Sequence, residues 1–287
     1  MVFLAVLDGT VTAFVLALIA LGLSLVFGVM RIVNVSHGEF FMLGAVFSWF
    51  SYHWTDDSVW GFVLAILIAP TIVGFIAMFS ERFILRKVDY NPESTIVATI
   101  GILYIIQQLT LMGFGPEARP VEAPIYFRVS FPWFGYSGYK LLVAVMSGLC
   151  LCGIWILLKH TKLGLYMRAT QQDYEIATTF GVPTKKIYAS VFALGGGLAA
   201  LAGVLVVPIR QADHLMGLEP LLLSFIVVII GGLGSIRGTI IAAFLIGISD
   251  GIISVFYEPT LAKMLATLFV VMILIIKPSG LFGENQQ

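Results

Sequence analysis

Charge is what this 287-residue chain has least of. Asp, Glu, Lys and Arg make up 11% of it and sum to zero net charge, against about 25% charged residues in soluble domains. With 59% hydrophobic residues and basic residues only in short clusters, no nucleic-acid-binding surface is expected. Cysteine is nearly absent. Cys150 and Cys152 stand two apart and point to different faces of a helix, which argues against a disulfide or a thiolate metal site. The four histidines, His37, His53, His160 and His214, show no HxxxH-type spacing, so no metal site is expected. No GxxxxGK(S/T) phosphate loop and no Ser-His-Asp arrangement is legible, so neither catalytic residues nor a cofactor of the chain's own is expected. The N-terminal MVFLAVLDG has no Lys or Arg ahead of its apolar run, which predicts a retained span rather than a cleaved signal.

What is abundant is uninterrupted apolar sequence. Runs free of Asp, Glu, Lys and Arg cover 9–30, 40–55, 58–80, 94–116, 141–158 and 187–209, with shorter ones at 220–236, 238–249 and 264–276. Spanning a bilayer takes roughly 20 such residues. The expected fold class is an all-α polytopic membrane protein, a single domain over 1–287 with about eight or nine segments, some broken or re-entrant. A β-barrel is excluded because the runs do not alternate. Arg82, Arg86 and Lys87 fall in the 81–93 loop, and Lys159, Lys162, Arg168, Lys185 and Lys186 in the 159–186 loop. Two spans separate these loops, so they share a side, which the positive-inside rule makes cytoplasmic. The Pro- and aromatic-rich 114–138 segment then faces outward as an ordered loop, the N-terminus lies outside, and Lys277 and the tail lie inside.

Within this apolar background, RIVNVSHGEFFMLGAV at 31–46 concentrates polar groups between spans. Arg31 marks a cytoplasmic boundary. Asn34, Ser36 and His37 are expected to satisfy backbone exposed where the chain turns back into apolar sequence. Glu39 either pairs structurally or faces a pathway, since a charge at membrane depth is costly. A second interruption, IIGGLGSIRGTIIAAFLIG at 229–247, reads as a helix broken at Gly231, Gly232 and Gly234, with Gly38 its counterpart in the first break. Two interrupted segments in the two halves of a chain point to a central translocation path, with Asn34, His37, Glu39 and Asp250 as candidates. Asp250 could equally form a structural pair with Arg237 or Lys263.

The loop RATQQDYEIATTFGVPTKK reads as an amphipathic helix of about three turns over 170–180. Thr170 with Asp173 forms a capping-box pattern, Tyr174, Ala177 and Phe180 recur on one face, Gly181 supplies the C-cap and Pro183 blocks continuation. Its polar face carries Asp173 and Glu175 and no basic residue between 169 and 184. A helix resting on lipid would be basic, so docking to a cytosolic partner is the stronger reading. In ALGGGLAALAG, the spacing of Gly195, Ala199 and Gly203, and of Gly196 and Ala200, predicts close helix packing.

Four stretches in order resemble one family. NVSHGEFFMLGA is similar to the NFAHGEFxMLGA signature of permeases in branched-chain amino acid ABC importers of the LivH type. ATIGILYIIQQLTLMGFGPEARPV resembles its ATIG…Q-x-L…FGPE segment, GGLGSIRG its GGLGSIPG, and KPSGLFG its RPSGLFG. Val35-Ser36 replaces Phe-Ala, Arg237 replaces proline, and Asp250 stands where relatives often carry Glu. The resemblance implies a permease subunit of a bacterial inner-membrane importer, without enzymatic activity. ATP would be bound by two cytosolic ABC ATPases, beside a second, LivM-like permease and an extracytoplasmic binding protein. It places Glu175, Ala177 and Gly181 in the E-x-A-x-x-x-G core of an ATPase-coupling loop, alongside Asp173 and Phe180. The downstream I-x-L-P of the general motif is missing. Branched-chain or other hydrophobic amino acids are the implied substrates; urea, short amides and aromatic acids are the alternatives within the family. An ion-coupled secondary transporter using Glu39 and Asp250 is the alternative outside it.

Overall fold

The computed structural model describes residues 2–56, 58–131 and 134–256, together with 264, 268, 272, 277 and 280–282. Among them, six helices are long and apolar enough to cross a membrane. In chain order the helices are α1 (Val2–Met30), α2 (His37–Trp54), α3 (Val59–Phe83), α4 (Pro92–Phe114), α5 (Gly138–His160), α6 (Lys162–Gln172), α7 (Tyr174–Thr179), α8 (Thr184–Val206), α9 (Leu218–Gly231) and α10 (Ile236–Phe256). A single 3-10 turn, Leu85–Val88, follows α3, and a short antiparallel hairpin, β1 (Arg128–Phe131) with β2 (Phe134–Ser137), precedes α5. The expected span at 264–276 and the candidate partner Lys263 fall largely outside the described residues.

Hydrophobicity all round a helix marks it for the interior of a bundle. That is the place of α1, whose most apolar window is 83% buried, and of α8, at 72%. The corresponding windows of α3, α4, α5 and α10 are 22% to 39% buried, so these helices form the periphery. Small residues set the crossings. A methyl group added at Gly22 would stand 2.8 Å from the Gly195 carbonyl oxygen, and one at Gly9 would stand 2.7 Å from that of Gly247. Added at Gly44 or Gly203, it would overlap the carbonyls of Ala200 and Phe41. The first and last of these join α1 and α2 to α8, as the small-residue spacing predicts; the Gly9 contact joins α1 to α10.

The cationic loops share one end of the bundle. Arg86 Nη2 donates to the Lys185 carbonyl at 3.1 Å, which ties the α3–α4 connection to the start of α8. The 114–138 loop and the segment after α8 meet at the other end, through paired backbone hydrogen bonds of 2.9 Å between Arg119 and Ala212. At that same end Asp8, near the start of α1, accepts hydrogen bonds from Tyr136 at 2.9 Å and Lys140 at 2.6 Å.

The GGLGSIRG interruption is a sharp turn between α9 and α10, with Gly232 and Gly234 at φ +100° and +79°. The apolar run 220–236 is therefore not one helix, because α9 stops at Gly231. The orphaned carbonyls at its end accept hydrogen bonds from the C-terminal segment: Leu281 N donates to Ile230 O at 2.7 Å and Phe282 N to Gly231 O at 3.1 Å. Two family-like motifs distant in sequence thus form one contact. Gly280 serves it, at φ +76° and too close to Gly232 for a side chain.

Candidate functional site: two helices that begin at membrane depth

Residues 31–36 connect α1 to α2 without helical structure, and they climb back into the bundle. Arg31 starts the reversal at φ +54° and is exposed. Six residues can reach at most about 20 Å, and the landmark at the far end lies within that range. His37 Nε2 donates to the carbonyl of Ile19 at 3.0 Å, and Ile19 stands about 17 Å from the Met30 end of α1 at 1.5 Å per residue. So α2 starts near the middle of α1. Helix α9 starts at the same depth, because Gly38 and Gly217 touch through their backbones with no room for a Cβ on either. From this meeting point α2 runs away from the end of the cationic loops, which is expected to be cytoplasmic, and the short α9 runs toward it. Discontinuous helices with their N-termini at mid-depth present the positive ends of two helix dipoles there.

Beyond Arg31, every polar residue of the interruption is buried: Asn34, Ser36, His37 and Glu39 are at most 1% exposed. Asn34 Oδ1 accepts from Ser36 N at 3.1 Å and Ser36 Oγ at 2.7 Å, an Asx turn that closes the reversal ahead of α2. Since a carbonyl only accepts, the His37 contact to Ile19 fixes the proton on Nε2 and leaves Nδ1 unprotonated in the neutral ring. Glu39 faces α4, where Gln107 Nε2 donates to its Oε1 at 2.9 Å. Thr99, two turns before Gln107, accepts from Val35 N at 3.3 Å. Within this stretch three buried side-chain atoms find no partner among the described residues: Asn34 Nδ2, His37 Nδ1 and Glu39 Oε2. Buried polar atoms are rarely left so, and here three lie within six residues of a membrane break.

Above this depth a cavity of about 110 Å³ lies against α1, lined by Val11, Val15, Ile19, Phe41 and Leu223 among others. Arg210 and Glu219 stand beside it, joined by a 3.1 Å ion pair. It lies between the outer end and the meeting point of α2 and α9.

Asp250 does not belong to this group. It is half-buried on α10 beside Gly251, which packs on Ala5 and Gly9 near the outer end of α1. Arg237, thirteen positions earlier on the same helix, stands about 20 Å away, so those two residues are not an ion pair. The structure therefore brings together Asn34, His37, Gly38 and Glu39 and places Asp250 elsewhere; Gly231, Gly232 and Gly234 form the second break at the cytoplasmic end. Gln107 and Gly217 complete the site and were not singled out from the sequence. A glutamine pair in an otherwise apolar span was the available signal for Gln107.

At the cytoplasmic end, the expected three-turn helix over 170–180 is divided. Thr170 lies buried inside α6, its hydroxyl donating to Tyr166 O at 2.8 Å, so it is not an N-cap. Asp173 both ends α6 and caps α7, with Oδ1 accepting from Ile176 N at 2.8 Å. Helix α7 has only six residues. Gly181, at φ +81°, closes it with Gly181 N donating to Thr178 O at 2.9 Å and Val182 N to Ala177 O at 3.0 Å, the paired bonds of a Schellman cap. Tyr174, Ala177 and Phe180 do not share a buried face. Ala177 is 4% exposed, whereas Phe180 is 84% exposed, beside the exposed Asp173, Glu175 and Ile176. Two turns of helix cannot hide both sides, and the side left open is apolar at its centre and acidic at its edge.

The family described as "Branched-chain amino acid transport system / permease component" matches residues 5–276. The chain is 24% identical to the high-affinity branched-chain amino acid transport system permease protein LivH of Escherichia coli K12, covering 94% of this chain and 92% of that one. It is 21% identical to the corresponding BraD of Pseudomonas aeruginosa, with the same coverage. To the probable LivH of Methanocaldococcus jannaschii it is 24% identical over 94% of this chain and 89% of that one. Among solved structures, PsaBC from Streptococcus pneumoniae in complex with Fab superposes with a TM-score of 0.52 at 12% identity, covering 96% of this chain and 92% of that one, which is a likeness of fold. An all-helical membrane bundle with two interrupted helices, matched along nearly its whole length, places the chain in the branched-chain amino acid transport system permease family.

Proposed function

We propose that the chain is the membrane permease subunit of an ATP-driven importer in the cytoplasmic (inner) membrane, carrying branched-chain or similar hydrophobic amino acids. Hydrolysis belongs to two cytosolic ABC ATPases, delivery to an extracytoplasmic binding protein, and the second half of the pathway to another permease of the same kind. Eight or nine membrane segments follow once α2 and α9 are counted with the six longer helices and the expected span at 264–276 is added.

The observation that carries this reading is the meeting of α2 and α9 at mid-depth. An amino acid arriving as a zwitterion must exchange water for fixed partners inside the membrane. Two helix N-termini favour its carboxylate, and the apolar cavity above them suits a branched side chain. Binding-protein docking fits the outer end, where 114–138 and 209–219 are joined through Arg119 and Ala212. At the opposite end, α7 presents Glu175, Ile176 and Phe180 outward, a surface suited to a partner rather than to water. Mass spectrometry of proteins copurifying from native membranes is the test. Two ATPases and a second permease are expected; recovery of this chain alone in active form contradicts the assignment.

Glu39 separates this reading from ion-coupled transport. Glu39→Gln keeps an oxygen for Gln107 and removes the titratable group, so import at normal expression is expected to persist. Glu39→Leu leaves the Gln107 amide without its partner and is expected to cost about 1–3 kcal/mol, read as a lower unfolding temperature in detergent. Loss of import with Glu39→Gln would favour proton or cation coupling.

A further inference from the structure

Outside the mid-depth site, a continuous line of side chains runs from α7 to α3. Tyr174, the first residue of α7, places its ring 5.5 Å, centroid to centroid, from that of Tyr188 on α8. Tyr188 is buried and meets Tyr90 edge-on at 4.9 Å and 85°. Tyr90 donates its hydroxyl to Glu81 Oε1 at 2.5 Å, and Glu81, near the cytoplasmic end of α3, is fully buried. Arg86 closes the line. Its Nη2 reaches the Glu81 carboxylate at 3.2 and 3.3 Å and the Lys185 carbonyl at 3.1 Å.

Two features show that Tyr90 is held there rather than resting there. Asp89 and Tyr90 both sit at positive φ, +49° and +53°, a conformation that successive non-glycine residues keep only when surrounding contacts impose it. A tyrosine hydroxyl is already a donor at neutral pH, and burial reinforced by the bond to Glu81 raises the Tyr90 pKa further, so this bond to Glu81 is kept.

Helix α7 needs such a line. At six residues it cannot act as a lever by itself. Its C-terminal half is fastened to α8 by the buried Ala177 and by the Thr178 and Thr184 hydroxyls 3.1 Å apart. Its N-terminal half is fastened through the Tyr174 ring. Tyrosine has few rotatable torsions and a broad contact face, so tyrosines in ring-to-ring contact pass on a displacement with little slack.

We propose that Tyr174, Tyr188 and Tyr90, anchored on the Glu81–Arg86 pair, transmit movement of α7 to α3 and thereby set how tightly ATP hydrolysis is coupled to import. This rests on the assignment of α7 as the ATPase-docking helix. The three tyrosines are positioning residues; none touches substrate or nucleotide.

The test measures import and ATP hydrolysis together in the assembled complex, reconstituted with its binding protein in proteoliposomes. Tyr174→Ala and Tyr188→Ala are expected to lower molecules imported per ATP about tenfold, and the double variant to be no worse than either single one. Tyr188→Phe is expected to restore the parental ratio, because the ring contacts need no hydroxyl. Tyr90→Phe is expected to fall with the alanine variants, because it cuts the bond to Glu81. Should Tyr188→Ala fail to assemble, the half-exposed Tyr174→Ala decides. A parental ratio in assembled Tyr174→Ala, or a Tyr188→Phe as damaging as Tyr188→Ala, overturns the relay. Absence of ATP-dependent import in the parent overturns the docking assignment and the relay together.

Discussion

Gly203→Val is expected to leave no folded permease in the membrane. Its new side chain would have to occupy the space of the Phe41 carbonyl on α2, and the Ala45 backbone nitrogen stands only 3.1 Å from where Cβ would lie. Overpacking a core ordinarily costs about 1–3 kcal/mol by shifting side chains; here the obstacle is backbone, which moves only if two helices separate. In lipid, helix association rests on close packing rather than on a hydrophobic drive, so separated helices lose what holds them. Gly44→Val is expected to fail in the same way against Ala200. Gly153→Val supplies the control, since a Cβ there meets nothing within 4 Å. Membrane abundance and monodispersity in detergent are the readout: the first two variants should be lost and the third retained. Retention of Gly203→Val at parental level would mean that α2 and α8 do not cross there.

The second large effect concerns transport without loss of fold. Gly181→Asp and Glu175→Lys are expected to abolish import while the protein still accumulates in the membrane. At φ +81° most side chains at 181 would strain the backbone by about 1–2 kcal/mol, but Asp tolerates this conformation comparatively well. No atom lies within 4 Å of the added Cβ, so the change is chiefly a charge placed beside Phe180. Glu175→Lys reverses the sign on the same exposed surface. A loss of 1.4 kcal/mol at a docking interface already weakens binding about tenfold. Uptake and ATPase copurification should therefore fall together, with normal protein levels. Normal uptake by both variants would remove α7 from the coupling interface.

The sequence spoke most clearly where one physical rule dominated. Hydrophobic run length located the bundle, and the turn at Gly232 and Gly234 was legible because glycine clusters interrupt an apolar run for a reason. Asn34 and His37 were readable as partners for backbone, and they meet Ser36 N and Ile19 O, whereas the Ser36 hydroxyl, expected in the same role, bonds the Asn34 side chain instead. Where two rules competed, it was less clear. Thr170 and Asp173 both suit an N-cap, and only the packing of α6 decides that Asp173 takes it. Phe180 repeats at helical spacing with Ala177, yet a six-residue helix ending in a left-handed glycine turns it outward. The partner of Glu39 was not readable at all, because Gln107 is 68 positions away and pairing across helices leaves no local trace. The same holds for Gly38 against Gly217, and for the C-terminal segment capping α9.

The site's chemistry is modest. Nothing in the mid-depth group forms a nucleophile with a base, and among the described residues no cluster of three or more His, Cys, Asp or Glu could hold a metal ion. What the geometry offers is a place where helix ends, an unprotonated histidine nitrogen and a glutamate oxygen lie together inside a greasy bundle. In the proposed function, such a place binds and releases a zwitterion, and the energy to move it comes through the cytoplasmic end.

The most direct measurement is uptake of radiolabelled leucine, isoleucine or valine into proteoliposomes containing the purified complex, with its binding protein outside and nucleotide enclosed. Uptake that requires enclosed ATP, and is lost when the ATPases are omitted whatever the ion gradient, is the predicted result. Uptake by this chain alone, driven by a proton or sodium gradient without ATP, would contradict it.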